Sequence, residues 1–540
     1  MKTNIIKECL LKKKFVLLLY CLLALILEAS QIAIAYVLQR VINLVENYSL
    51  NELVFIIVLV LATTLTFFLS AFLVSLVESK LIQSFKDELY NNIYNHVLNL
   101  DFNNFNKHDN SFYVSLTIND VPSLVNNYLE SILYLLSASF KFTLSIIYLI
   151  YISPIIALLI FVTSLIISLF PVFCSRRLRL KRKECIDANE IFVDKVSEFF
   201  SFFPIVKIYK IYDYEKDNVM KDTFNNNAKE SKFSISSGLV QTITIVLSYL
   251  AQISVFVVGA ILSINNKLDV AGLVASVQVS GYVVSTITII INSLGMIISS
   301  KPLKEKINNF FSLQNIEGKK SNKNKELKTY EISTNNLSFK YDNKVIFNNL
   351  NINIKYGEKV LILGESGSGK TTLLKTLLGM NNQYEGSIKY GGINLKDINS
   401  NLYNYCLLVP QENMVFHDSI KNNILLGYDY NEEELNKIIE LVELTNFINN
   451  SENGINSIIK DNGKNISGGE RQRMGLARAL IRKPKILFLD ESFSSLDNET
   501  SNLIKNRLLK LPITIIEVSH NNYDKNMYDL VLDFNEVKKW

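Results

Sequence analysis

Charge is scarce in this sequence. Lys, Arg, Asp and Glu make up 20% of its 540 residues, against ~25% in an ordinary globular chain. Cysteine is scarce too. Cys9, Cys21, Cys174, Cys185 and Cys406 are scattered without C-x-x-C or His-paired spacing, which speaks against a disulfide scaffold and a structural zinc site. The net charge of +5 is small for this length and implies no nucleic acid. Arginine supplies 10 of the 56 basic residues, and Lys, Asn and Ile abound, a composition typical of an AT-rich genome. No repeat of ~20–50 residues recurs. Disorder is excluded for most of the chain, because 31 Phe and 26 Tyr leave ample surface to bury.

What the chain has instead is apolar length. Hydrophobic residues reach 49% and the mean hydropathy is +0.19. A bilayer-spanning helix needs ~20 apolar residues. Six windows before residue 300 qualify: Phe15–Leu38, Leu53–Val77, Leu129–Ile152, Ile155–Cys174, Leu239–Ser263 and Val270–Ile298. Ser153-Pro154 alone separates the third from the fourth, so these two form a tight hairpin. The first run is longer than the ~7–15 residues of a signal-peptide core, so it reads as an uncleaved membrane helix despite Ala33-Ile34-Ala35. Pro171 predicts a kink near the inner end of the fourth helix.

Orientation follows from basic residues in the loops. Segments 1–14, 79–128 and 175–238 hold five, three and thirteen Lys/Arg; the opposite loops hold Arg40 and Lys267. The basic set, the amino terminus and everything after residue 299 are therefore expected in the cytoplasm, with the chain in the cell membrane. The long inner loops carry apolar residues at helical spacing and read as helical hairpins reaching into the cytoplasm. Two charges interrupt the windows. Glu28 and Lys141 lie at matched depths in two outward-running helices, which predicts a pair lining a cavity, a structural ion pair, or two separately hydrated side chains.

Residues 1–300 thus read as an α-helical membrane domain. Lys- and Asn-rich 301–330 reads as a linker. From 331 to 540 short apolar runs, among them Val360–Leu363, Ile486–Leu489 and Ile513–Val518, alternate with helical segments, as buried parallel strands of an α/β domain do.

The chemistry sits in this second half. Gly364-Glu365-Ser366-Gly367-Ser368-Gly369-Lys370-Thr371 fits G-x-x-x-x-G-K-[ST], between a strand and a helix. Its backbone N–H groups and the helix start would cradle phosphates, with Lys370 on the β/γ-phosphates and Thr371 on Mg²⁺. Ile486–Glu491 is an apolar strand ending in two acids. Asp490 is placed to hold Mg²⁺ and Glu491 to act as general base on an attacking water. Ser467, Gly468 and Gly469 form a second anion cradle before a helix. Two phosphate-grade cradles in one domain are economically explained if each faces the other cradle of a second copy.

As an ordered set these motifs resemble the ATP-binding cassette (ABC) transporters, specifically half-transporters of the exporter architecture, and the resemblance covers nearly the whole chain. It implies a P-loop NTPase domain of ABC type that binds ATP and Mg²⁺. On its pattern Tyr341 stacks on adenine, and Gly364–Thr371 with Thr372 form the Walker A site. Gln411 is the Q-loop residue that senses Mg²⁺. Ser467–Glu470 belong to the signature motif, Asp490 and Glu491 to the Walker B strand, and Asp497 to the D-loop. His520 is the switch histidine. Phe105 with Thr117–Val121, and Ser197–Glu215, resemble the two cytoplasmic hairpin tips that dock on nucleotide-binding domains. Glu470 stands where Gln is usual, and Ile458–Gly463 departs from the pattern common in exporters. The implied function is ATP-driven transport, by export, of a peptide, amphipathic small molecule or lipid. The implied assembly is a dimer of half-transporters, a homodimer first and a heterodimer second. The rival readings are an importer of the same architecture and a membrane-anchored ATPase sensor that transports nothing. The first helix begins after 14 residues, which predicts no amino-terminal peptidase domain, and the chain ends 20 residues after His520, which predicts no carboxy-terminal extension.

Overall fold

The computed structural model describes residues 5–46, 50–313, 327–341, 344–460, 463–520 and 525–534. They divide into two compact units, one of Met1–Tyr94 and Asn110–Ser312, the other of Asn95–Asp109 and Leu313–Trp540.

The described elements of the first unit are all helices. A short helix, α1 (Ile5–Lys12), precedes α2 (Lys14–Glu46) and α3 (Leu50–Leu98). After α4 (Phe102–Phe105), which belongs to the second unit, come α5 (Asn110–Ile152), α6 (Pro154–Ser201), α7 (Phe203–Tyr209), α8 (Tyr212–Ile264) and α9 (Val270–Ser299). Six of these are long and apolar enough to cross a membrane, and each contains one of the windows read from sequence. Their ends follow local rules. Ser153 is extended and Pro154 opens α6 at its first turn, where a missing N–H is harmless. Asp269 caps α9 by accepting from Gly272 N at 3.0 Å. Helix α6 continues through Pro171. The core packs Ala35, Leu149, Ile156, Ile160, Val255, Val279 and Val283 between α2, α5, α6, α8 and α9.

The first part of the expected linker is not extended. Lys301–Phe311 forms α10, because Ile307 and Phe310 fall on one face and bury. Phe310 meets the rings of Phe112 and Tyr113. The run Lys319–Lys325 lies outside the described residues.

The second unit holds two sheets. β1 (Ile332–Tyr341), β2 (Lys344–Leu350), β3 (Asn353–Ile354), β5 (Tyr384–Tyr390) and β6 (Ile393–Asn394) form an antiparallel one, in the order β2-β1-β5-β6 with β3 on β1. The parallel sheet runs β10-β4-β9-β8-β7, from β4 (Lys359–Leu363), β7 (Cys406–Val409), β8 (Ile486–Asp490), β9 (Thr514–Ser519) and β10 (Leu530–Asp533). Every residue of β4, β8 and β9 is buried, which is why these strands read as unbroken apolar runs. Helices α11 (Lys370–Leu377), α12 (Gly468–Leu480) and α13 (Asn498–Leu509) carry or follow the motifs. Because β4, β9 and β8 are parallel neighbours, the segments leaving them emerge at one edge.

Candidate functional site

At that edge the sequence-predicted residues meet. β4 delivers the glycine loop and Lys370, β8 ends in Asp490 and Glu491, and His520 follows β9 directly. Glu491 is held from two sides. Gln411 Nε2 donates to Glu491 Oε2 at 2.8 Å, and His520 Nε2 lies 2.6 Å from Glu491 Oε1. The Glu491 backbone has φ +49°, a left-handed conformation that L-residues adopt at an energetic cost and that clusters at functional positions. Thr371 Oγ1 donates to Asp490 Oδ1 at 2.9 Å. Lys370 Nζ donates to Gly364 O (2.7 Å) and Glu365 O (2.8 Å) and lies 3.4 Å from His520 Nδ1. Lysine, hydroxyl, two carboxylates, amide and imidazole therefore share one small space.

The loop fits a polyanion. Gly367 and Gly369 sit at φ +74° and +108°. A Cβ on Gly369 would come within 2.4 Å of Ile346 Cγ2, so the turn admits glycine alone. Ser368 Oγ is buried with no hydrogen-bond partner among the described residues, as expected of a group that waits for a ligand. Burial pushes the Asp490 carboxyl above the ordinary aspartate range, against the hydrogen bond from Thr371. It pushes the Lys370 ammonium below the ordinary lysine range. A buried carboxylate beside a hydroxyl suits a hard divalent cation with oxygen ligands, so Asp490 and Thr371 fit Mg²⁺.

The second cradle is built on α12. Ser467 is its N-cap: Ser467 Oγ accepts from Glu470 N at 3.2 Å, and Glu470 Oε2 accepts from Ser467 N at 2.7 Å. This reciprocal capping box explains Glu470, which the sequence comparison registers only as a departure. A Cβ on Gly468 or Gly469 would press on Ser495 and Leu496, so the glycines let the next loop lie close. Asp497 is the N-cap of α13, and the Thr500 N–H that it accepts holds its carboxyl below the usual range. Sequence reasoning misses Gln472. It is 2% exposed, donates to Ser494 Oγ (3.0 Å) and accepts from Ser495 N (3.0 Å), tying α12 to the loop after β8. A buried polar residue one turn into a capped helix is the signal that could have found it. Tyr341 closes β1 opposite Lys344; its side chain lies outside the described residues.

In the membrane unit Glu28 and Lys141 meet. Lys141 Nζ is 3.8 Å from Glu28 Oε2, and the two side chains are 16% and 8% exposed. Ser137 Oγ donates to Glu28 Oε1 at 2.7 Å, and Lys141 Nζ lies over the Tyr282 ring, 5.0 Å from its centroid. The cluster joins α2, α5 and α9.

Compared with protein families, residues 17–287 match the ABC transporter transmembrane region and residues 347–494 match the ABC transporter domain. This chain belongs to the ABC transporter family. The ABC chain is 31% identical over 320 residues to a lactococcin-A transport/processing ATP-binding protein of Lactococcus lactis subsp. lactis, covering 58% of this chain and 43% of that protein. It is 29% identical over 343 residues to an ATP-dependent permease of Candida albicans, covering 60% and 48%. The match thus spans less than half the length of these curated relatives. A bacterial Atm1-family ABC exporter solved with ATP bound shares the fold, with a TM-score of 0.79, 17% identity, and coverage of 97% of this chain and 94% of that one.

Within this ABC chain the two hairpin tips differ. Phe102 of α4 packs edge-to-face on Tyr403 at 6.2 Å. The Asn103 amide, turned to satisfy both groups, donates to Met380 O (3.2 Å) and accepts from Asn382 N (3.1 Å). Phe102 and Asn103 thus make these contacts within the second unit, beside the expected Phe105 on the same helix, while the expected Thr117–Val121 falls in the first unit, where Leu116–Asp120 is π-helical. The second tip, around α7, leaves Phe200, Ile208, Tyr209 and Tyr214 exposed.

Proposed function

We propose that this chain is an ATP-driven exporter that works as a dimer of half-transporters in the cell membrane, with its amino terminus and nucleotide domain in the cytoplasm. One observation carries the reading: Lys370, Thr371, Asp490, Glu491, Gln411 and His520 converge at one sheet edge in a chain that also holds six membrane-length helices. Gly364–Thr372 would bind the ATP phosphates and Tyr341 the adenine. Ser467, Gly468, Gly469 and Asp497 would complete the site of the opposite copy. Thr371, Asp490 and Gln411 would hold Mg²⁺, which when bound supplies charge neutralisation at the transferred phosphoryl group. Glu491, already oriented by Gln411 and His520, would take the proton of the attacking water. The aromatic tip around α7 supports a second copy, since an exposed apolar cluster of this kind calls for a cover. The likeness to a lactococcin-A transport/processing protein favours a peptide substrate over a lipid.

The test uses purified protein in proteoliposomes. Glu491→Gln should keep ATP binding while turnover falls by ~10²-fold or more, as for loss of a general base. ATP-dependent movement of a substrate peptide should be lost with it. Near-parental hydrolysis in Glu491→Gln would sink the assignment, and ATPase without any vectorial transport would favour a sensor.

A further inference from the structure

Beneath the site lies a charge pair that the nucleotide chemistry does not use. Lys505 on α13 and Glu517 on β9 are 2.6 Å apart (Nζ–Oε1), with side chains 3% and 2% exposed. Tyr528 OH donates to the other carboxylate oxygen, Oε2, at 2.7 Å. Lys505 Nζ also lies 5.0 Å from the centroid of the Phe493 ring. Glu517 belongs to a central strand. Its backbone registers with Leu361 of β4 on one side and Leu489 of β8 on the other, and Ile515, Ile516 and Val518 around it are fully buried.

An ion pair is an odd choice here if stability is the aim. Withdrawing two charges from water offsets most of their attraction, and an apolar pair of similar volume usually stabilises as well or better. What the pair provides, and an apolar contact does not, is a fixed direction and a fixed length. Each element it touches leads to a different part of the site. α13 begins at its N-cap Asp497, directly after Ser495 and Leu496, which crowd Gly468 and Gly469. β9 runs on through Ser519 into His520. Phe493 lies two residues beyond Glu491. A cavity of about 160 Å³ is lined by Glu491, Phe493, Ser494, Glu517, Ser519 and His520, so Glu517 forms part of the floor under the reacting groups.

We propose that Lys505 and Glu517, steadied by Tyr528, are positioning residues for hydrolysis: they lock the helix after the Asp497 loop to the strand that carries His520, and so fix His520 and Glu491 relative to the loop that faces the second cradle. The proposal rests on the reading of Glu491 and His520 as the hydrolytic groups.

The experiment compares full-length parent with the double variant Lys505→Met/Glu517→Leu in nanodiscs. The double variant removes both charges at similar volume, so it should fold with a Tm at or above that of the parent. ATP affinity and KM should be unchanged, because no phosphate-binding group is touched, while kcat falls roughly ten- to a hundredfold, the scale expected when a reacting group is slightly misplaced. A merely structural pair would shift Tm and leave kcat alone, so parental kcat in a stable double variant overturns the proposal. If the double variant does not fold, Tyr528→Phe decides. It removes one hydrogen bond to Glu517 and should lower kcat severalfold at unchanged KM; parental kcat there overturns the proposal equally. Glu491→Gln is assayed alongside. If it is inactive while the double variant runs at parental rate, only the positioning role fails. If Glu491→Gln itself hydrolyses normally, the reading of the site has failed first.

Discussion

Glu491 and Asp490 are adjacent, yet their environments differ in kind. The first is held at φ +49° with both carboxylate oxygens engaged by side chains. The second is buried, and burial raises its pKa. A carboxyl with a raised folded-state pKa binds its proton more tightly folded than unfolded. Its ionisation therefore destabilises the domain as pH rises from the ordinary aspartate range through the raised value. Asp490→Asn should thus raise the Tm of the nucleotide-free protein at neutral pH and flatten its decline with rising pH through that window, while ATPase is lost. A melting series in the absence of nucleotide and Mg²⁺ checks this; a lower Tm at neutral pH would refute it. At this scale the convergence of the candidate residues was well legible. Gly364–Thr371, Asp490, Glu491, Gln411 and His520 are each marked by residue type and by order along the chain. The buried contacts of Gln472 and Glu517 were not, because a polar residue inside the core looks like any other until its burial is known.

Elements were legible where one physical rule dominates. The membrane helices follow from apolar length, and β4, β8 and β9 from unbroken burial. The antiparallel sheet was not anticipated. β1, Ile332–Tyr341, is rich in Asn and Ser, and register shifts against both β2 and β5 break its alternation. Helix α10 carries Leu303, Ile307, Phe310 and Phe311 at helical spacing, but the Lys- and Asn-rich composition around it reads as a linker and hides that short periodic stretch. The capping box of α12 is readable as Ser-x-x-Glu before a helix, whereas the family pattern marks Glu470 only as a departure. Between elements, the Glu28–Lys141 contact joins α2 to α5. Removing one partner strands the other in a medium that solvates it poorly, at ~3–5 kcal/mol by analogy with buried pairs in soluble proteins. Glu28→Gln and Lys141→Gln should each lower membrane abundance and Tm, and the swap Glu28→Lys with Lys141→Glu should restore both. Singles indistinguishable from the parent would show that the contact carries no structural weight.

For the whole molecule the decisive question is whether a site is completed by a second chain. If the Ser467 cradle serves the opposite copy, a chain carrying Ser467→Arg mixed with one carrying Lys370→Ala should recover part of the ATPase that each lacks alone, since one composite site keeps both halves. Verified mixed dimers with no recovery would place both cradles on the same nucleotide. The architecture of six spans and one nucleotide domain was plain in the sequence, because hydropathy and motif order both act over long stretches. What the chain carries was not, because substrate recognition in a helical bundle depends on which faces meet.

One of those meetings bears on energetics of another kind. A charge moved across a membrane potential exchanges ~2.3 kcal/mol per 100 mV with the field. Glu28 and Lys141 sit side by side with opposite signs, so when α2 and α5 shift together the pair carries no net charge through the field. Voltage then does no work on such a shift, and the two charges inside the bilayer leave it electrically silent. Only a step that pulls the two apart along the membrane normal would feel the potential.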